Sequence, residues 1–155
     1  RQNLRRLRLE AEIVVGDAAL LPESRRWPRV LLDAPCTATG TIRRHPDVAW
    51  HKRAFDVTRT MDLQARLLDG AARVTEPGGL LVYAVCSLQP EEGPVQVERF
   101  LERNAGFERV PLDHAELPGL EPCINDQGDL RTLPCHLAED GGMDGFYAAR
   151  LRRVS

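Results

Sequence analysis

A chain of 155 residues with 43% hydrophobic and 28% charged residues has an ordinary globular composition. It is long enough for one domain that buries roughly two thirds of its unfolded surface. Its net charge of −2 excludes a global basic field for a polyanion, and no apolar run approaches the length of a membrane span.

The chain begins with Arg1 rather than methionine. Asn3 to Leu9 reads as the last turns of a helix whose start is absent, as expected of a fragment of a longer protein. Glu12-Ile13-Val14-Val15-Gly16-Asp17 is a short apolar run ending in Gly-Asp, the pattern of a buried strand and its turn. Val30 to Asp33 reads as a second buried strand. Residues 35–50 carry threonines, a glycine and two prolines and are expected to form a loop, bent at His45-Pro46-Asp47. From Ala54 to Val74 apolar residues recur at helical spacing. Met61, Ala65, Leu68 and Ala72 form one stripe, with Leu67, Ala71 and Val74 beside it. This predicts a long amphipathic helix, broken near Thr58 to Thr60 and stopped by Pro77-Gly78-Gly79.

Leu80 to Val85 reads as a third buried strand. Pro90, Glu91 and Glu92 fit the first turn of a further helix, where proline has no hydrogen to leave unpaired and acids favour the positive end. Val97, Phe100 and Leu101 give that helix a buried face, and Asn104-Ala105-Gly106 stops it. Phe107 to Leu112 is an expected strand, residues 113–129 a loop, and Leu130 to Leu133 a short strand. Gly145 to Arg152 alternates as a last strand, with Phe146, Ala148 and Arg150 on one side and Tyr147, Ala149 and Leu151 on the other. Strands alternating with helices, then a terminal strand pair, predict an α/β fold whose sheet is mainly parallel with an antiparallel edge strand.

Four cysteines, at 36, 86, 123 and 135, show no CxxC spacing. That argues against a zinc site and against a secreted disulfide framework, and for a reducing cytoplasm. Two of the four end apolar runs and lead into tight polar turns: Cys36 into Thr37-Ala38-Thr39-Gly40, and Cys86 into Ser87-Leu88-Gln89-Pro90. Ligands of open α/β sheets bind outside the carboxyl ends of the strands, so these thiols and Asp33 are delivered to the chemically useful edge. Burial alone would account for both cysteines, because free cysteine is among the most buried residue types.

Their chemistry suggests more. A pyrimidine ring is a poor nucleophile at C5. Thiolate addition at C6 converts it to an enamine, which can attack a methyl donor. A carboxylate held against N3 and the exocyclic amine stabilises the developing charge, and loss of the C5 proton then expels the thiol. Either Cys86 or Cys36 can serve as nucleophile in this scheme, with Asp33 as the carboxylate.

Lys52 is the only lysine, so the basic residues are nearly all arginine, which coding bias explains as readily as phosphate contact does. They cluster at Arg5, Arg6 and Arg8, at Arg25, Arg26 and Arg29, and at Arg43, Arg44, His45, Lys52 and Arg53. The third cluster flanks the first cysteine turn and is the one expected on nucleic acid.

Longer strings narrow the alternatives. Asp33-Ala34-Pro35-Cys36-Thr37-Ala38-Thr39-Gly40 resembles the DAPC(S/T)GTG motif of the Sun family of RNA cytosine-C5 methyltransferases. Val85-Cys86-Ser87-Leu88-Gln89-Pro90-Glu91-Glu92 resembles its TCSLxPEEN motif. Arg43-Arg44-His45-Pro46-Asp47 is similar to its RRxPD loop, Gly16-Asp17-Ala18 to the turn after its third strand, and Gly142-Met143-Asp144-Gly145-Phe146-Tyr147 to its closing GxDGFF motif.

The resemblance implies a Rossmann-like class I methyltransferase sheet and S-adenosylmethionine as methyl donor. Cys86 would be the nucleophile and Cys36 would assist product release, whereas the DNA enzymes use the Pro-Cys cysteine, which would point at Cys36. Asp33 would contact the cytosine and lie beside the donor, Asp17 would bind its adenine, and Arg43 and Arg44 would face the RNA, with small-subunit ribosomal RNA the expected substrate. Ala38, Val85 and Gly93 depart from the family's glycine, threonine and asparagine. Glu91 and Glu92 are expected to be helix-start charges. The competing reading is a non-catalytic RNA-binding or assembly module that keeps a degenerate form of the fold.

The family's Gly-rich cofactor turn and its first two strands have no counterpart here. In the family order 3-2-1-4-5-7-6, their removal leaves a gap of roughly 14 Å between the strands at 12–17 and 30–33. The apolar edge so exposed is expected to pair with the 12–17 strand or with a second copy of the chain, unless upstream polypeptide covers it.

Overall fold

The computed structural model describes residues 1–51 and 53–155, so Lys52 lies outside the described residues. Its core is a five-stranded sheet. The strands are β1 (Trp27–Asp33), β2 (Thr75–Val85), β3 (Phe107–Arg109), β4 (Leu130–Thr132) and β5 (Phe146–Arg153). The order across it is β1-β2-β5-β3, with β4 also on β5. β1 and β2 pair in parallel, while β2, β3 and β4 each pair antiparallel with β5. Four strands therefore share one direction, as expected. The opposing strand, however, is not an edge: β5 lies between β2 and β3.

β2 and β5 form the centre because β2 is apolar without interruption from Leu80 to Val85 and β5 presents an apolar face at alternate positions. Leu81, Tyr83 and Val85 are buried on β2, and Tyr147, Ala149 and Leu151 on β5. Three of the helices are α1 (Gln2–Leu7), α2 (Val48–His51) and α3 (Ala54–Arg73). α3 covers the central strands with Leu68, Ala71 and Ala72. Its first turn is closed by Asp56, whose carboxylate accepts from Arg53 N–H at 2.9 Å. The helix runs unbroken for 20 residues, because the Thr60 hydroxyl finds the carbonyls of Asp56 and Val57, each at 2.9 Å, without displacing the backbone ladder. It ends at Arg73, before Pro77-Gly78-Gly79. Those residues instead form an irregular opening of β2: the register with β1 jumps from Trp27↔Thr75 to Arg29↔Leu80, and Gly78 takes a φ of 79°.

α4 (Pro94–Arg103) starts later than predicted, with Pro94 rather than Pro90 in its first turn. Residues 90–93 are a separate tight turn. Val97 and Phe100 give its buried face, and Phe100 packs edge-to-face on Phe107 with ring centroids 5.3 Å apart. β3 stops at Arg109, where the predicted strand continued to Leu112.

The main departure is at the open side of β1. Residues 12–17 form no strand; Val14 is 66% and Val15 92% exposed. Among the described residues β1 thus has β2 as its one strand neighbour, and Leu31 is 70% exposed. The expected pairing of 12–17 with β1 does not occur, and β1 is half-buried rather than buried.

Candidate active site

The site is built where β1 and β2 end together. Asp33 stands opposite Ala84, and Ala34 N–H donates to the Ala84 carbonyl at 2.9 Å. Beyond this last rung both chains turn, and Gly40 N–H donates to the Cys86 carbonyl at 3.1 Å. The first turn is thus laid across the second, and the sulfurs of Cys36 and Cys86 come to 3.5 Å, both free and half-buried.

Hydroxyls lock the two turns. Leu88 N–H donates to Thr39 Oγ1 at 2.9 Å, and Gln89 N–H to Ser87 Oγ at 3.0 Å. From β4, Arg131 donates to the carbonyls of Ser87 and Leu88 at 2.9 and 2.7 Å. Gly40 is required by space: a Cβ there would lie 1.9 Å from the Gly145 carbonyl oxygen. Ala38 pays for the turn, with a φ of 58° in the left-handed region that disfavours any side chain. Ala38→Gly, which restores the family's residue, is therefore expected to raise stability by about 1 kcal/mol in chemical denaturation.

Burial pushes the Cys36 thiol up to about 12, partly opposed by the Ala38 backbone and reinforced by Cys86 and Glu92. Cys36 is then protonated at neutral pH. Its folded value lies above the ordinary 9.0, so between these limits the unfolded chain loses a proton that the folded chain keeps. Stability should fall as pH rises through that window, and fall less steeply in Cys36→Ser. Alkylation of Cys36 by iodoacetamide, followed by peptide mass spectrometry, should accelerate only as pH climbs above the ordinary thiol range.

Asp33 ends β1 exposed to solvent, and its side chain takes no hydrogen bond among the described residues. Asp17 caps a short turn at Ala18–Leu20, accepting from Ala19 N–H at 2.9 Å. That turn rests against α3, where Gly70 leaves room for the Ala18 carbonyl and Arg73 donates to Ala19 O at 2.5 Å. Asp17 and Asp33 are exposed acceptors, which fits the N–H donors of an adenine amine and an α-ammonium.

Arg43 and Arg44 do not extend freely. Arg44 forms a two-pronged pair with Asp144, with Nε 2.7 Å from Oδ2, and holds that carboxyl below the usual carboxylate range. Arg43 donates to Gly141 O at 2.5 Å and lies 3.6 Å from Asp144. Both keep exposed guanidinium surface.

A cleft of about 590 Å³ opens beside the cysteine turns. Thr37, Thr39 and Ile42 line one wall, Arg53, Val57 and Met61 of the α3 end another, and Gln89 and Glu91 close it. The pocket expected to be shared by Cys36, Cys86 and Asp33 is realised only in part. The sulfurs meet, but neither they nor Asp33 line this cleft.

Sequence reasoning missed Glu92. Expected as a helix-start charge, it lies in the turn before α4 and is fully buried behind the cysteines. The available signal was a hydroxyl directly after each cysteine, Thr37 and Ser87, both also fully buried.

Comparison with known proteins places this geometry. The family model described as 16S rRNA methyltransferase RsmB/F matches residues 1–152. Ribosomal RNA small subunit methyltransferase B of Vibrio cholerae is 42% identical over 99% of this chain and 32% of its own length. Its namesake in Pseudomonas syringae pv. tomato is 42% identical over 100% of this chain and 34% of its own. The chain thus spans about a third of the length of the curated relatives it matches. The crystal structure of PH0851 superposes with a TM-score of 0.83 at 33% identity, covering 98% of this chain and 33% of that one. NSun6 from Pyrococcus horikoshii, solved with SFG, gives 0.78 at 26% identity, covering 99% of this chain and 38% of that one.

Proposed function

The chain belongs to the 16S rRNA methyltransferase RsmB/F family, and from that premise we propose that it is the C-terminal, cysteine-bearing part of a catalytic domain that methylates C5 of a cytosine in ribosomal RNA. The observation that carries this reading is the 3.5 Å approach of two free thiols at the carboxyl ends of neighbouring parallel strands.

The geometry is consistent with the following roles. Cys86 attacks C6 of the cytosine, forming an S–C6 bond and making C5 nucleophilic. Asp33, exposed at the end of β1, accepts from the exocyclic amine and from protonated N3, which stabilises the adduct. S-adenosylmethionine, when bound, supplies an electrophilic methyl group; Asp17 and Asp33 would hold its donor groups. After methylation solvent water takes the C5 proton, the S–C6 electron pair returns to sulfur so that Cys86 leaves as thiolate, and N3 gives back to solvent the proton it took up when the adduct formed. Cys36, its sulfur 3.5 Å from that of Cys86, assists this release. Arg43 and Arg44, anchored yet exposed, face the RNA backbone.

The test is methyl transfer by the full-length protein to unmodified small-subunit ribosomal RNA, with the product digested and its nucleosides identified. Labelled 5-methylcytidine is the expected result. A folded protein that binds the RNA yet transfers no methyl group would instead identify an assembly module.

A further inference from the structure

Glu92 is a fully buried carboxylate with no cationic partner among the described residues. Removing such a charge from water costs several kcal/mol unless donors surround it. Here they do, and all are neutral. Thr37 N–H donates to both oxygens, at 3.0 and 3.2 Å, and the Thr37 hydroxyl to Oε2 at 2.5 Å. The Ser87 hydroxyl donates to Oε2 at 2.6 Å, Gln64 Nε2 to Oε1 at 3.2 Å, and the Thr60 hydroxyl lies against Oε1. A wholly apolar cluster in place of the carboxylate and its donors can be equally stable, so stability alone does not explain the arrangement.

The donors do. Thr37 directly follows Cys36, and Ser87 directly follows Cys86. One carboxylate therefore grips the residue after each thiol, and Gln64 and Thr60 fix that carboxylate to α3. The Tyr83 hydroxyl holds the Glu92 carbonyl at 2.6 Å and steadies its backbone separately.

We propose that Glu92 is a positioning residue that sets the two thiols against each other, so that both can serve one bound pyrimidine in turn. The assignment of chemistry to the thiols rests on the function proposed above; the positioning itself does not.

The experiment uses the thiols as a ruler in the full-length protein, with no RNA or cofactor present. Diamide oxidises two adjacent thiols: its N=N bond takes up the two hydrogens and an S–S bond forms. The Cys36–Cys86 peptide pair is then quantified by mass spectrometry. Glu92→Gln keeps size and shape and loses the charge. It is expected to slow cross-linking by about tenfold or more, as when reacting atoms lose a near-contact geometry. Tyr83→Phe, which removes a buried hydrogen bond from the same neighbourhood but spares the carboxylate, should lower the melting temperature and leave the cross-linking rate within about twofold of the parent. Cross-linking of Glu92→Gln at the parent rate overturns the proposal. So does slowing in both variants in proportion to their loss of melting temperature, which would mark a merely structural role. In a second arm, Glu92→Gln should lower kcat for methyl transfer with KM for RNA unchanged. If the parent protein transfers no methyl group, the function fails while the ruler still reports on Glu92.

Discussion

Cys86→Ser is expected to lower methyl transfer by about 10³-fold or more and to abolish covalent trapping of RNA containing 5-fluorocytidine. A serine hydroxyl ionises far less readily than a thiol, and the S–C6 bond on which every later step depends cannot form. Cys36→Ser should behave differently. It leaves the nucleophile in place, so attack and trapping persist while release slows, and adduct accumulates even on ordinary cytidine. Denaturing gel electrophoresis of protein mixed with labelled RNA separates the two outcomes directly. Loss of the adduct in Cys36→Ser and its persistence in Cys86→Ser would exchange the two roles.

Gly40→Ala is the second change with a large expected effect, although it adds a single methyl group. That methyl would sit 1.9 Å from the Gly145 oxygen, 2.7 Å from the Gly145 carbonyl carbon and 3.0 Å from the Cys86 oxygen. All three neighbours are backbone, so no side chain can swing aside. The loops must separate, which strains the bonds from Gly40 N–H to Cys86 O and from Gly145 N–H to Gly40 O. Overpacking of this kind costs about 1–3 kcal/mol. Because the displaced partner is the nucleophile's own carbonyl, trapping of 5-fluorocytidine RNA should fall by about 100-fold. Gly16→Ala is the matched control. Nothing lies within 4 Å of its added Cβ, and both stability and trapping should match the parent.

Much of this arrangement was legible in the residues, for a physical reason. β2 and β5 have neighbours on both sides, so β2 reads as a continuous apolar run and β5 as regular alternation, and α3 shows its stripe because one face of it meets the sheet. The failures share a cause. Residues 12–17 and β1 have strand-like composition, but composition states only what a segment can bury, and a strand also needs a partner to pair with. Pro90 and Pro94 are both compatible with a helix start, and only the fold of the 90–93 turn, which carries Glu92 inward, selects the second. In the site, the motif strings identified the thiols, and the strand register brought them together. The role of Glu92 was hidden because its donors come from segments up to 55 residues away in the chain.

The ion pairs of Asp144 have a further consequence. This carboxylate follows the arginines it engages by about 100 residues, so the basic loop after the first cysteine turn and the segment leading into β5 are tied together before any nucleic acid arrives. A phosphate approaching Arg44 therefore enters as a substitute for a carboxylate already in place. The favourable charge pairing is largely an exchange. What the arrangement contributes to recognition is a guanidinium pair whose direction has already been chosen, so little conformational entropy remains to be lost when the substrate docks.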